Sequence, residues 1–214
     1  PLCFHPGTRW NYGVSTDVLG RFVEVLAGKP FEDVLRERVF EPLGMKDTFF
    51  GVPDNKIDRF CALYTKTDEN PLKLIETAVE SRFKAPASMC SGGGGLVSSM
   101  ADYLRFIEML QRGGALDDAR VLGRKTVELM MLNHLPGDMA SMGQATFSEM
   151  PMNGIGFGLG GAVMLDPTKA QILGSPGEFT WGGMASTAFW IDRDEEISVA
   201  FMTQLIPSSS YPIR

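Results

Sequence analysis

The chain reads as an α/β protein of layered α+β type, an antiparallel sheet with helices packed on it, and three features predict this. Segments with helical apolar spacing and clear end signals dominate residues 1–150, whereas short β-branched or aromatic runs split by turn residues fill 151–214. Its 214 residues, 44% of them hydrophobic, suffice to bury a core. We expect a mostly helical first region and a strand-rich second region, joined in a single domain.

In chain order, the opening "PLCFHPGTRW" is rich in Pro and Gly and reads as a loop that delivers Trp10 and Tyr12. A helix follows, with Ser15 or Thr16 as its cap, Asp17 at the positive end of its dipole, and Leu19, Phe22, Val23 and Leu26 at helical spacing. Gly28 stops it. Pro30 starts a second helix through Val34, Leu35, Arg38 and Val39, which Pro42 and Gly44 end. From Phe49 to about Met89, Pro53, Pro71 and Pro86 break any long period, so weak strand-like or irregular surface pieces are expected.

Ser98 or Ser99 caps the clearest helix, whose Tyr103, Leu104, Phe106, Ile107 and Leu110 fill one side before Gly113 and Gly114. Another helix runs from about Gly123 to Asn133 on Val127, Leu129, Met130 and Met131. The runs "GIGFGLGGAVML", "STAFWID" and "EISVAFMTQ" then read as consecutive antiparallel strands, with "IDRDEEIS" as a hairpin tip.

Composition excludes several classes. With 20 basic against 26 acidic residues, a net charge of −6 and no Lys/Arg run, the chain is a poor nucleic-acid partner. No apolar run is long enough to span a bilayer. Cys3, Cys61 and Cys90 match no zinc spacing and read as small buried or semi-buried thiols; no metal or cofactor is expected. The sequence begins at Pro1 without a Met or leader, so its compartment is left unassigned.

Gly156, Gly158 and Gly161 formally satisfy G-x-G-x-x-G, but "AVMLDP" after them is no helix. A strand with one bare face, approached closely by another element, is the better account. "SGGGG" at 91–95 lacks the Lys and hydroxyl of a phosphate loop and reads as close backbone packing or a cleft wall. His5 and His134 are tied to no nucleophile by any motif, and no G-x-S-x-G elbow exists.

Three stretches remain: "HPGTRWNYGVSTDVLGRFVEVLAGKPFEDVLRERVFEPLGMKDTFF", "SGGGGLVSSMADYLRFIEML" and "GSPGEFTWGGMASTAFWIDRDEEISVAFMTQ". In this order they resemble the serine β-lactamase and penicillin-binding-protein superfamily, and within it the class C-like family VIII carboxylesterases. The resemblance implies a β-lactamase/transpeptidase-like fold and a small-molecule ester substrate. It also implies a serine nucleophile in S-x-x-K, a tyrosine in a Y-x-N-like motif, and a third motif that is K-T-G in β-lactamases and often W-G-G in the esterases. Tyr12 in "YGV" matches the second motif, and Trp181, Gly182 and Gly183 match the third. The sole S-x-x-K here, Ser81 to Lys84, lies on the wrong side of the tyrosine and reads as chance. The chain is therefore expected to be the C-terminal portion of a longer enzyme whose upstream segment carries S-x-x-K.

A serine hydroxyl needs a base to take its proton, work that the resemblance gives to the missing lysine together with Tyr12. The resemblance also assigns the Met184 N–H to the oxyanion hole, with Gly182 and Gly183 letting the strand approach substrate. Trp181 stands where β-lactamases hold a lysine, and Val14 where they hold an asparagine; both replacements favour neutral, apolar esters over anionic β-lactams. An esterase acting on short-acyl or aryl esters is expected. A β-lactamase or D-Ala-D-Ala peptidase-like hydrolase, an acyltransferase of the same superfamily and a catalytically inactive chain are the alternatives.

Overall fold

A computed structural model describes residues 2–147 and 150–211. Helix α1 spans Ser15–Ala27 and closes on Gly28, whose φ of 66° and N–H to the Glu24 carbonyl form a left-handed cap. Its start departs from expectation: Val14 occupies the N-cap with no side-chain hydrogen bond, and Ser15 is already helical. Its apolar stripe also points away from the rest of the chain, with Leu19, Phe22 and Leu26 exposed and only Gly20 buried. The helix docks by its smallest side chain because the "SGGGG" backbone runs directly against it. A Cβ added at Gly20 would sit 3.2 Å from the Gly92 nitrogen, and one at Gly92 would overlap the Thr16 carbonyl.

Helix α2, Phe31–Leu35, begins after Pro30 and runs on into a π-helical turn, Arg36–Phe40. That wider turn brings Phe40 and Leu43 into the core before Gly44, at φ 64°, redirects the chain and Met45 is buried in turn. The stretch expected to hold weak strand-like or irregular pieces is built of short turns and strands. A 3-10 turn, Asp54–Arg59, precedes strand β1, Leu63–Thr65, which pairs antiparallel with β2, Lys73–Glu76. Cys90 is half-buried, as expected, but Cys3 and Cys61 are exposed, which corrects the expectation of buried or semi-buried thiols for these two: Cys61 lies in the extended segment entering β1 and Cys3 in the opening loop.

Helix α3, Met100–Gln111, is capped by Ser99, whose hydroxyl accepts the Asp102 N–H at 3.2 Å, and it ends before Gly113 and Gly114 at φ 71° and 93°. Ile107, Met109 and Leu110 are buried, whereas Leu104 is not. A hairpin of β3, Ala115–Leu116, and β4, Ala119–Arg120, leads to α4, Arg124–Met130. Helix α4 stops short of Asn133 because that carboxamide is engaged elsewhere: it donates to the carbonyls of Leu135 and Gly137 and accepts the N–H groups of Leu135 and Phe157.

Strands β5, Thr146–Phe147, and β6, Met150–Pro151, form a short hairpin. Then come β7, Ile155–Phe157; β8, Ala162–Met164; a single helical turn α5, Pro167–Ala170, capped by Asp166; β9, Phe179–Gly182; β10, Ala188–Asp192; β11, Ile197–Phe201; and β12, Leu205–Ile206. The sheet order β11-β10-β9-β8-β7 is antiparallel throughout, as the sequence predicts. The Asp192 carboxylate accepts the Asp194 and Glu195 N–H groups and makes the expected hairpin tip. The parallel pairing of β12 with β1 was not expected. Helix α3 packs on this sheet, and Ile107, Leu110, Val127, Val163, Phe179 and Ile191 form the shared core. The single bare-faced strand expected over the 154–161 glycines is instead the hairpin of β7 and β8, with Gly156 alone of them inside a strand and residues 158–161 between the two strands. Close approach does hold: a Cβ at Gly156 would overlap the Asn133 carboxamide oxygen, and one at Gly161 would lie 2.6 Å from the Phe179 ring.

Candidate active site

The loop before α1 is pinned by the Trp10 N–H, which donates to the Met142 carbonyl at 3.1 Å. The 133–143 segment behind it is held in turn by Asp138, whose carboxylate accepts the N–H groups of Gly154 and Ser141; these bonds keep it below the usual carboxylate range. Fixed in this way, the loop lays the Tyr12 ring against two others, 5.0 Å from Phe147 and 5.9 Å from Trp181 between centroids. Phe147 stacks on Trp181 at 5.3 Å, and Phe157 meets Trp181 edge-on at 5.2 Å. Tyr12 keeps 55% of its surface exposed, so its phenol stands at the open margin of this aromatic group. Residues far apart in sequence, Tyr12 and Trp181, are thus neighbours.

Strand β9 ends in a tight hairpin. The Gly183 N–H donates to the Thr187 carbonyl at 2.8 Å, and the Ser186 N–H to the Gly183 carbonyl at 3.1 Å. Met184 is the second residue of that turn, a position whose amide takes no part in the turn's own hydrogen bond. Its N–H has no acceptor among the described residues. Its side chain is exposed, so the amide is the only chemically directed group it offers.

Tyr12, Gly13, Val14 and Thr16 line one wall of an open cleft of about 500 Å³. Gly93, Gly94 and Gly95 line another, with Ser91, Asp17, Arg82 and Phe83. The Ser91 hydroxyl donates to Asp17 and accepts the Gly93 N–H at 2.9 Å, which fixes the glycine wall. Arg82, 5.0 Å over the Phe83 ring, is the one cation among the described lining residues. Val14 is exposed on this cleft. Trp181 and Gly182 instead border a smaller recess of about 80 Å³ with Thr187, Phe189 and Tyr103, whose phenol burial pushes up to about 12. Tyr12 borders the larger hollow and Trp181 the smaller, with their ring centroids 5.9 Å apart.

Ser81 takes no place in this arrangement. It is buried at the start of a 3-10 turn, Arg82–Lys84, its hydroxyl accepting the Phe83 N–H at 3.1 Å, while Lys84 is exposed. His134 bonds the Leu129 carbonyl at 2.8 Å. Among the described residues no group of three His, Cys, Asp or Glu could hold a metal ion.

Residues 1–212 match the Beta-lactamase family. The chain belongs to the β-lactamase family. Its fold is β-lactamase/transpeptidase-like, an α/β arrangement shared with the solved structure described as "EstCE1, a hydrolase with promiscuous acyltransferase activity". That structure is 28% identical, with a TM-score of 0.80 over 97% of this chain and 55% of that one. Protein Rv1367c of Mycobacterium tuberculosis is 33% identical over 98% of this chain and 52% of its own length. Esterase EstB of Burkholderia gladioli is 29% identical over 95% of this chain and 51% of its own length. The chain spans about half the length of the curated relatives it matches.

Sequence reasoning missed Phe147 and Phe157, which build the aromatic group, and Arg82 and the Ser91–Asp17 pair in the cleft. No local pattern marks Phe147, Phe157 or Arg82, since each reaches the site only through tertiary packing. Ser91, standing immediately before four glycines, carried the best available signal.

Proposed function

We propose that this β-lactamase-family chain supplies the tyrosine and one oxyanion donor of a serine hydrolase acting on short-acyl or aryl carboxylic esters. In this reading the nucleophilic serine and its S-x-x-K lysine come from outside these 214 residues. One observation carries it: Tyr12 lies beside Trp181, and strand β9, which bears Trp181, ends at the unengaged Met184 amide. The position of Ser81 as a buried cap with an exposed Lys84 supports a nucleophile from elsewhere. Relatives described as an esterase and as a hydrolase with acyltransferase activity support the reaction class.

The steps follow from these groups. Tyr12, with the supplied lysine beside it, acts as general base and takes the serine proton as the serine oxygen attacks the ester carbonyl. Charge develops on the carbonyl oxygen, where the Met184 N–H and the nucleophile's own amide donate to it. Collapse expels the alkoxide, which recovers the proton from Tyr12 and leaves an acyl-enzyme. Water, deprotonated along the same route, then releases the acid and restores the serine.

Trp181 in place of a cation offers an apolar wall to the substrate. Hydrolysis of p-nitrophenyl butyrate by the full-length parent is expected to exceed hydrolysis of a cephalosporin reporter; the reverse order would contradict the preference. Acyl transfer to an alcohol is the second reading, favoured by the width of the open cleft of about 500 Å³ and by the promiscuous acyltransferase activity described for EstCE1. Product analysis with a competing alcohol separates the two.

A further inference from the structure

The turn that carries the Met184 amide is held from behind by two hydroxyls for which the steps above have no use. Ser186, buried at 6% exposure, donates to the Leu205 carbonyl at 2.7 Å. Thr203 donates to the Ala185 carbonyl at 2.7 Å and reaches the Ser186 carbonyl at 3.2 Å, while the Leu205 N–H meets the Ala185 carbonyl at 3.2 Å. Ser186 has φ 59°, a left-handed conformation in which glycine would be unstrained. A serine there, with its hydroxyl spent on a buried carbonyl, trades local ease for a fixed turn.

We propose that Ser186 and Thr203 are positioning residues that aim the Met184 amide at the developing oxyanion, an inference that rests on the role given to Met184 above. A fixed donor stabilises a transition state without reorganising, so its value depends on being held before charge appears. The turn is held on both flanks of Met184: the Gly183 N–H is bound to Thr187 across the hairpin, and the residues after Met184 are bound to the 203–205 segment. That segment continues into β12, which pairs with β1, so the amide is referenced to a second sheet.

The test uses the full-length parent protein, p-nitrophenyl butyrate as substrate and a boronic acid as reversible mimic of the tetrahedral intermediate. Thr203→Val is expected to lower kcat by about 10-fold or more, the scale of a misplaced reacting group, with KM unchanged within roughly twofold. Boronate affinity should fall by the same factor as kcat, and Thr203→Ser should restore both. Wild-type kcat and boronate affinity in Thr203→Val would overturn the proposal, as would a kcat loss without a boronate loss. Should Thr203→Val fail to fold, Ser186→Gly carries the same expectations, because it removes the hydroxyl while suiting the positive φ.

Met184→Pro separates the two levels, since proline suits the second position of a turn yet has no N–H. If Met184→Pro keeps wild-type kcat, the oxyanion role fails and this inference fails with it. If Met184→Pro loses kcat while Thr203→Val and Ser186→Gly keep it, this inference alone is wrong.

Discussion

Phe147 packs against both motif aromatics, 5.0 Å from Tyr12 and 5.3 Å from Trp181, and on the proposed ester reading we assign it to the wall that meets the acyl chain. Phe147→Ala in the full-length parent is therefore expected to raise kcat/KM for p-nitrophenyl octanoate relative to butyrate several-fold. An unchanged ratio would remove Phe147 from the acyl wall. Trp181→Lys is expected to act oppositely on charge, restoring a cation and improving cephalosporin turnover relative to the butyrate ester. Equal ratios in variant and wild type would show that the residue does not set the preference. That Tyr12 and Trp181 face one another was legible in the sequence because each sits in a short motif with recognisable neighbours. Phe147 was not, because a two-residue strand carries no periodicity to read.

At the scale of elements, sequence reading succeeded where the end signal and the apolar face agree. Helix α3 has both, with Ser99 bonding Asp102 and Ile107 and Leu110 buried. Helix α1 shows the limit: its spacing is right for a helix, but spacing does not say which side a neighbour takes, and the chain packs on Gly20. Close approach makes the glycine turn between β7 and β8 sensitive, so Gly161→Ala, with its new Cβ 2.6 Å from the buried Phe179 ring, should cost about 1–3 kcal/mol in urea unfolding. A change within error would mean that the ring yields.

The Asp47 carboxylate ties the Asp54–Arg59 turn to the chain before it, accepting from Lys56 and Arg59 at 2.5 Å each. Hydrogen bonds from Arg59 and then Lys56 hold it at about 2, below its ordinary 3.8. A depressed folded value stabilises the protein above the unfolded value and is lost as pH falls towards about 2. Asp47→Asn should thus lower the urea midpoint at pH 6 and flatten its decline between about pH 4 and 2. A midpoint at pH 6 equal to wild type would assign the pair no stabilising role, as for many exposed ion pairs.

For the whole molecule, the antiparallel sheet was readable because its strands follow one another along the chain. The pairing of β1 with β12 was not, since nothing local links Tyr64 to Leu205. The exposed face of α1, with Val18, Leu19, Phe22, Val25 and Leu26, is a larger apolar surface than scattered exposed residues make. The 214-residue polypeptide should bind a hydrophobic dye there, and Phe22→Lys with Leu26→Lys should reduce that binding; undiminished fluorescence would place the dye elsewhere. In the function proposed here, catalysis belongs to a centre assembled from this chain and the segment proposed to bring serine and lysine. The most direct measurement of that division is p-nitrophenyl butyrate hydrolysis by the full-length parent carrying either Tyr12→Phe or Ser81→Ala. Tyr12→Phe is predicted to lose about 10²-fold or more in kcat, the scale of a lost general base, with Ser81→Ala within roughly twofold of wild type. Turnover abolished by Ser81→Ala and retained by Tyr12→Phe would contradict it.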